Sequence, residues 1–210
     1  MGVGVRKQYL EYLCSRVSCR ELPPPGRIVL RGKEIWGHPH VELYQEWVLH
    51  HWKPEPKPVA LLLPCTPVKP YSRSAIRKIV YANLRRLGID DYVAVITVSD
   101  PMLLVPREIE DLYPVANYEH PAELLEIPWI YRRFVELLSR ALPKLRVYPR
   151  IAAFLSSRHR NAIADAIRRA SVELDIEFYP YGRLAFRDAK QVVLRVFSIL
   201  NSMHGVTPSR

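Results

Sequence analysis

The chain has 210 residues, of which 49% are hydrophobic and 25% are charged, and this composition suits one packed domain and excludes wholesale disorder. The 31 Lys and Arg residues outnumber the 21 Asp and Glu residues, so the net charge of +10 favours an anionic partner such as nucleic acid, the alternative being a basic protein that is merely soluble. No apolar window is long enough to span a membrane and the N-terminus lacks the pattern of a secretion signal, so we expect a cytoplasmic protein without a membrane partner.

The N-terminal quarter predicts a helical extension that packs on a larger core. Residues 4–18 have apolar side chains at helical spacing, and "LPPPG" at 22–26 ends this helix because proline lacks the N–H that a helix needs. A short edge strand, "RIVLR", follows, then a second helix over 38–52 and the stiff linker "KPEPKP". We therefore divide the chain into an extension of residues 1–57 and an α/β/α core domain of residues 58–210, which together form one structural unit.

The three cysteines are too few and too unevenly spaced for a disulfide framework. Cys14 and Cys19 lack a second pair, or a nearby histidine cluster, that would complete a zinc site. We therefore expect both to be free thiols that pack a helix, and we predict no metal. A Walker loop, a dinucleotide-binding glycine pattern and a Ser-His-Asp arrangement are not visible either, so we predict no cofactor.

From residue 59 onward the sequence alternates between strand and helix patterns. The predicted strands are residues 59–64, 92–98, 147–155 and 175–180, and the predicted helices are residues 74–88, 129–142, 160–172 and 187–203. Parallel neighbours need crossovers that cover both faces of a sheet. The fold class is therefore α/β, a three-layer α/β/α sandwich with a four-stranded parallel sheet.

The segments that follow the four strands carry charged and hydroxyl side chains. They read "CTPVKPYSRS", "SDPMLLVPRE", "SSRHR" and "YPYGR". Because the carboxyl ends of parallel strands share one edge, where open α/β sheets form ligand crevices, we expect a basic crevice suited to phosphates there. The cations expected to line it are Lys69, Arg73, Arg107, Arg158, Arg160 and Arg183.

Four residues of this edge have both a chemical and a structural interpretation. Cys65 is either a nucleophile or a small buried hydrophobe, and Asp100 is either a general base or the start of a turn. Lys69 either acts as a nucleophile or binds phosphate as a point charge. His159 is either an acid or base of the crevice or, between two arginines, a surface residue.

A second group is predicted to bind substrate or phosphate. Ser74 also suits the N-cap of the following helix, and Arg107 also suits a local ion-pair network with Glu108 and Glu110. Arg77 lies in the first turn of that helix, where a cation opposes the helix dipole, and this favours a nearby anion. The predicted binding residues are Ser72, Arg73, Ser74, Arg77, Arg107 and Arg158.

Two stretches of the sequence resemble the central domain of archaeosine synthase, the archaeal relative of the tRNA-guanine transglycosylases. "PCTPVKPYSRSAIR" is similar to that domain's pattern of Pro-Cys, three residues, Lys-Pro-Tyr, two residues, Ser, two residues and His, with Arg77 at the position of the His. "VSDPMLLVPREIEDLYPVANYE" resembles a second block of the same domain, with Leu104 near the place of a usual glycine. The matching residues are Pro64, Cys65, Lys69, Pro70, Tyr71 and Ser74 in the first block, and Pro101, Val105, Pro106, Arg107, Glu108, Glu110, Tyr113, Pro114 and Tyr118 in the second.

The resemblance implies a fold like that of uracil-DNA glycosylase and a role in tRNA modification. The implied reaction adds the amine of lysine to the nitrile of a 7-cyano-7-deazaguanine base in tRNA, an amidine-forming transfer. For this chemistry, Lys69 would be the nucleophile or the proton donor, and Cys65 would be an alternative nucleophile. Tyr71 would be a proton donor or a stacking platform, and Asp100 a general base.

The resemblance also implies partners. These are tRNA and, because the family's RNA-binding PUA domain does not fit in this chain, a second protein that supplies one, as in a split enzyme. The alternative is a non-catalytic nucleic-acid-binding module that uses the same crevice, and a third interpretation is a structural subunit whose basic edge meets a partner protein.

Overall fold

The computed structural model of the protein describes residues 3–182 and 184–204. Its N-terminal part contains helix α1 (Val3–Cys14), the short strand β1 (Leu30–Arg31) and helix α2 (Pro39–Glu46). A wider π-helical turn over Trp47–His51 continues α2. The order of elements is the one predicted, although α1 ends four residues before the predicted boundary at 18.

Cys14 and Cys19 form a disulfide, which corrects the prediction of two free thiols. Helix α1 ends at Cys14, and the turn that follows brings the Cα atoms of the two cysteines to 5.3 Å from each other, a usual separation for a bridged pair. The sequence argument excluded a framework of several bridges, but it did not exclude one local bridge. Cys65 is the remaining free cysteine.

The centre of the molecule is a five-stranded sheet. Its parallel strands are β2 (Val59–Pro64), β3 (Val93–Ser99), β6 (Arg150–Leu155) and β7 (Ile176–Pro180), and the antiparallel strand is β4 (Leu103–Pro106). The spatial order is β4-β3-β2-β6-β7. The four parallel strands confirm the prediction, whereas β4 corrects the strand count. The chain reverses directly after β3, so that Leu103 lies opposite Ser99.

Helices cover both faces of this sheet. Helices α3 (Ala75–Arg86) and α6 (Ala185–His204) pack on one face, and α4 (Pro128–Ala141) and α5 (Ser157–Ala170) on the other. Alternate residues of β2 belong to two separate hydrophobic cores, because successive side chains of a strand point to opposite faces. The structure therefore confirms a three-layer α/β/α fold.

The N-terminal segment packs on the face that carries α4 and α5. Tyr9 donates a hydrogen bond to the Tyr113 carbonyl at 2.6 Å, and Arg6 pairs with Asp111 at 2.6 Å. Strand β1 pairs in parallel with β5 (Tyr118–Glu119) to form a second, two-stranded sheet. The division at residue 57 stays a prediction. None of the helices traced over the described residues has the length and apolar character that a bilayer crossing requires.

Candidate active site at the carboxyl edge of the sheet

Three reactive side chains meet at the carboxyl edge of the sheet. Cys65 directly follows β2 and Asp100 directly follows β3, and the amide of Cys65 continues the ladder by donating to the Val98 carbonyl at 3.0 Å. His159 lies in the first turn of α5, which follows β6. The Cys65 Sγ atom is 3.9 Å from Asp100 Oδ1 and 3.9 Å from His159 Nε2, and these two atoms are 3.0 Å apart.

The capping residue of α5 holds His159 in this position. The Ser156 Oγ atom accepts from the backbone N–H of His159 and also lies 3.0 Å from its Nδ1 atom. Burial alone would lower the pKa of His159, but Cys65 and the Asp100 carboxylate outweigh it and raise this pKa to about 10. His159 is therefore a cation at neutral pH, paired with a buried carboxylate.

A second histidine holds the other oxygen of Asp100. His120 Nδ1 is 2.6 Å from Asp100 Oδ2. The Trp36 indole N–H donates to His120 Nε2 at 3.0 Å, so the ring proton of a neutral His120 lies on Nδ1, facing Asp100. Burial would raise the pKa of Asp100, but the two histidines hold it well below its usual range. We call Cys65, Asp100, His120 and His159 the edge cluster.

Lys69 lies beside the edge cluster in a box of aromatic rings. Its Nζ atom is 4.7 Å from the ring centre of Tyr71 and 4.3 Å from that of Tyr118, and it donates to the Thr66 carbonyl. Burial lowers the pKa of Lys69 to about 8 against the opposing influence of Cys65 and Asp100. Burial is the main cause of this shift, and the nearby Arg77 adds to it only slightly.

Tyr71 forms the floor of this box rather than a surface. Its side chain is fully buried, and its hydroxyl contacts the Ser99 hydroxyl at 3.3 Å and the Tyr118 hydroxyl at 2.5 Å. Burial raises the pKa of Tyr71 well above its usual value. The structure thus corrects the prediction that Tyr71 donates protons or stacks on a base, since a ligand cannot reach it.

Arg77 is also withdrawn from solvent, which corrects its prediction as a phosphate ligand. Its side chain is fully buried, and its Nη2 atom donates to the Pro64 carbonyl at 2.9 Å and to Thr97 Oγ1 at 2.7 Å. Ser74 is the N-cap of α3 and accepts from the backbone N–H of Arg77, as its structural interpretation predicted. Both residues organise the start of α3.

Arg107 lies away from the edge cluster. It pairs at 2.5 Å with Asp90, which precedes β3 and therefore lies at the opposite end of that strand. The guanidinium carbon of Arg107 also lies 4.0 Å from the ring centre of Tyr81. The Tyr81 hydroxyl donates to Glu110, whose pKa is raised by burial despite the nearby Arg77. We call Arg77, Tyr81, Arg107 and Glu110 the arginine network.

A cleft of about 440 Å³ beside the arginine network also includes Ser72. Its charged lining consists of Arg6, Lys57, Asp90, Asp91, Arg107, Glu108, Glu110 and Asp111, which is five carboxylates and three cations. Such a cleft repels phosphate. The prediction that Ser72 and Arg107 bind phosphate is therefore not supported. The interpretation of Arg107 as a member of an ion pair is supported, and its partner is Asp90.

The remaining predicted cations lie near the surface. Arg73 and Arg160 are exposed, and Arg158 lies two residues into α5 with its guanidinium paired to Glu126. Arg183 lies outside the described residues. A cleft of about 680 Å³ lies near Arg16, Arg27 and His40 of the N-terminal segment. We assign the chemistry to the edge cluster instead, because the edge cluster has a nucleophile and a buried acid-base pair.

Sequence reasoning underestimated His159 and missed His120. A signal for His159 was present, because it shares the buried face of α5 with Ala162, Ile163 and Ala166, at helical spacing. His120 follows the two-residue strand β5, and no local pattern indicates that its ring points back to Asp100. Cys65, Asp100 and His159 also have ligand atoms close enough to share a metal ion, so the prediction of no metal stays open.

Comparisons with known proteins agree with the motifs. A family model described as "Domain of unknown function (DUF5591)" matches residues 41–179. Archaeosine synthase subunit alpha of Thermoplasma acidophilum is 34% identical over 86 residues, which is 40% of this chain and 16% of that protein. The crystal structure of AF0587, a protein of unknown function, has a TM-score of 0.47 and 21% identity, covering 80% of this chain and 51% of that one. The predicted homology to a domain of archaeosine synthase is thus confirmed over part of the chain.

Proposed function

The chain belongs to the family described as Domain of unknown function (DUF5591), and we propose that it takes part in tRNA modification, forming an amidine on a nitrile-bearing 7-deazaguanine base. The observation that carries this proposal is the convergence of Cys65, Asp100 and His159 at the carboxyl edge of the sheet. The name of the partial relative, archaeosine synthase subunit alpha, supports the substrate class.

The edge cluster has the groups that addition to a nitrile requires. The Cys65 thiolate adds to the nitrile carbon, one π bond of the C≡N group breaks, and the nitrogen takes the proton of His159 Nε2 to give a thioimidate. An amine, lysine by resemblance, then attacks the same carbon, and the thiolate leaves. The amine's proton returns to His159, so Cys65 and His159 end in their starting states.

Asp100 and Lys69 support this sequence of steps. The Ser156 hydroxyl holds the His159 ring at Nδ1 while the Nε2 proton leaves and returns, and the Asp100 carboxylate stabilises the imidazolium that supplies this proton. Lys69 lies close enough to Cys65 and Asp100 to influence them and supplies a cation for a phosphate next to the base. The proposal includes tRNA as partner and a second protein that supplies an RNA-binding domain.

The test is an adduct assay with purified protein, tRNA that contains the nitrile base, and labelled lysine. We expect label in the base, and we expect Cys65→Ala to abolish it. A Cys14→Ser/Cys19→Ser double variant is the matched control, because it removes the other two cysteines without touching the edge cluster. If both Cys65→Ala and Lys69→Ala retain full adduct formation, the assignment of the chemistry is wrong.

The net charge of +10 favours one alternative, a non-catalytic nucleic-acid-binding module. That module would be supported if the protein binds tRNA in a salt-dependent way but forms no adduct, whether or not an RNA-binding partner protein is added. Failure to bind RNA even at low salt would instead favour a structural subunit.

A further inference from the structure

Three atoms of the edge cluster are placed like ligands around a common centre. Cys65 Sγ, Asp100 Oδ1 and His159 Nε2 form a triangle with sides of 3.9, 3.9 and 3.0 Å. Tetrahedral zinc has bonds of about 2.3 Å to sulfur and about 2.0–2.2 Å to nitrogen or oxygen, which separates its ligand atoms by roughly 3.4–3.6 Å. The observed sides bracket these separations, so one ion fits between the three atoms with small side-chain adjustments.

The other polar atoms of the two buried ligands have partners of their own. The Ser156 hydroxyl lies 3.0 Å from His159 Nδ1, which leaves Nε2 as the ligand atom. His120 lies 2.6 Å from Asp100 Oδ2, which leaves Oδ1 as the ligand atom. Partners of this kind orient the ligands of metal sites and fix the tautomer of a ligating histidine.

The donor set indicates which ion would bind. A thiolate and an imidazole favour Zn²⁺ and similar divalent transition-metal ions such as Co²⁺, which we call zinc-type ions. Magnesium and calcium prefer oxygen ligands. The thiolate and the carboxylate together carry two negative charges, which a divalent ion neutralises. Asp100 and His159 are buried whereas Cys65 is partly exposed, so Cys65 is the ligand nearest to solvent.

We infer that Cys65, Asp100 and His159 form a site for one zinc-type divalent ion, and that a bound ion and a nucleophilic Cys65 exclude each other. Binding forms the metal–sulfur, metal–oxygen and metal–nitrogen bonds, and any protons on Sγ and Nε2 leave to solvent. The sulfur lone pair that would attack an electrophile is then engaged by the metal. This inference does not rest on the proposed reaction with tRNA.

The first test is a titration of the metal-stripped full chain with Co²⁺, followed by competition with Zn²⁺. We expect one Co²⁺ per chain with a thiolate-to-cobalt charge-transfer band that Zn²⁺ removes. The band should persist in the Cys14→Ser/Cys19→Ser variant and be lost in Cys65→Ser. Ser156→Ala should weaken Co²⁺ binding about 10- to 100-fold, because it removes the group that orients His159.

The second test measures alkylation of Cys65 by iodoacetamide in the same protein. Saturating Zn²⁺ should slow alkylation at least about tenfold, as expected when the thiolate is a metal ligand. The inference is overturned if no charge-transfer band forms, if the band survives in Cys65→Ser, or if Zn²⁺ leaves alkylation unchanged. Circular dichroism confirms that each variant is folded. Neither readout uses tRNA, so failure of the proposed function leaves these results interpretable.

Discussion

The edge cluster and the arginine network are two buried sets of charged side chains within one small domain. In the arginine network, Arg77 Nη2 donates to Thr97 and the Pro64 carbonyl and Arg107 pairs with Asp90, although the buried Arg77 Nη1 atom lacks a hydrogen-bond partner. In the edge cluster, by contrast, the partly exposed sulfur of Cys65 lies 3.9 Å from its nearest polar partners. Charge alone therefore does not mark a functional site; a partly exposed nucleophile beside a buried acid-base pair does.

After the loss of Cys65 itself, the largest effect should come from removing the proton donor of the edge cluster. We expect His159→Gln to reduce the rate of adduct formation by about 10²- to 10⁴-fold, since positioned acid-base groups contribute that much to such reactions. The measurement is the rate of lysine incorporation into tRNA that carries the nitrile base.

The matched control for His159 is His51→Gln, because the His51 side chain is about half exposed and its contacts, with Glu46 and the Tyr12 ring, lie in the N-terminal segment. It should retain the original rate. Equal rates for the two variants would show that His159 is structural, and the edge cluster would then differ little from the arginine network.

The arginine network should respond through stability instead. We expect Arg77→Met to lower the free energy of unfolding by about 3 kcal/mol, because the Pro64 carbonyl and Thr97 hydroxyl lose their buried donor. Denaturant unfolding measures the change. Arg86→Met, on an exposed position of α3, should stay within about 0.5 kcal/mol. A stable Arg77→Met protein with poor tRNA binding would restore the sequence-based assignment of Arg77 as a ligand.

The main sheet and part of the edge cluster could be predicted from sequence. Strand β2 is an uninterrupted apolar run, and its bounds agree with the prediction at Val59 and Pro64. Residues that follow neighbouring parallel strands must lie near each other, which is why Cys65 and Asp100 were expected together. Strand β4 (Leu103–Pro106) was not predicted, because a four-residue segment with a proline before it and another at its end resembles a loop. Only its pairing with β3 makes this segment a strand.

Side-chain direction was harder to predict than strand position. The sequence assigned a phosphate-binding role to Arg77 and Arg107 as well as to Lys69, yet the first two face inward or pair locally. His159 lies between two arginines, which suggested a surface position, and only the phase of α5 turns its ring toward Asp100. Long-range contacts, such as that between His120 and Asp100, leave no local signal in the sequence.

A smaller effect is expected from the exposed cations near the edge cluster. Each phosphate contact adds about one to the slope of log affinity against log salt, so Arg73→Ala/Arg158→Ala should reduce that slope for tRNA by about 2. Filter binding over a range of salt concentrations measures it. The control is Arg86→Ala, at an exposed position of α3, and it should leave the slope unchanged. An unchanged slope in the double variant would mean that tRNA approaches a different surface.

The smallest effect should come from Arg107, whose side chain is 27% exposed in its pair with Asp90. We expect Arg107→Ala to cost about 0.5–1 kcal/mol of stability, because partly exposed ion pairs and cation–π contacts are each worth little. A double-mutant cycle with Asp90→Ala should recover most of that loss as coupling energy. Because carboxylates surround Arg107, its removal should leave the affinity for tRNA within about twofold, the scatter that a distant surface substitution produces. A tenfold loss of affinity would instead place RNA on the arginine network, and the contrast between a structural arginine network and a reactive edge cluster would no longer hold.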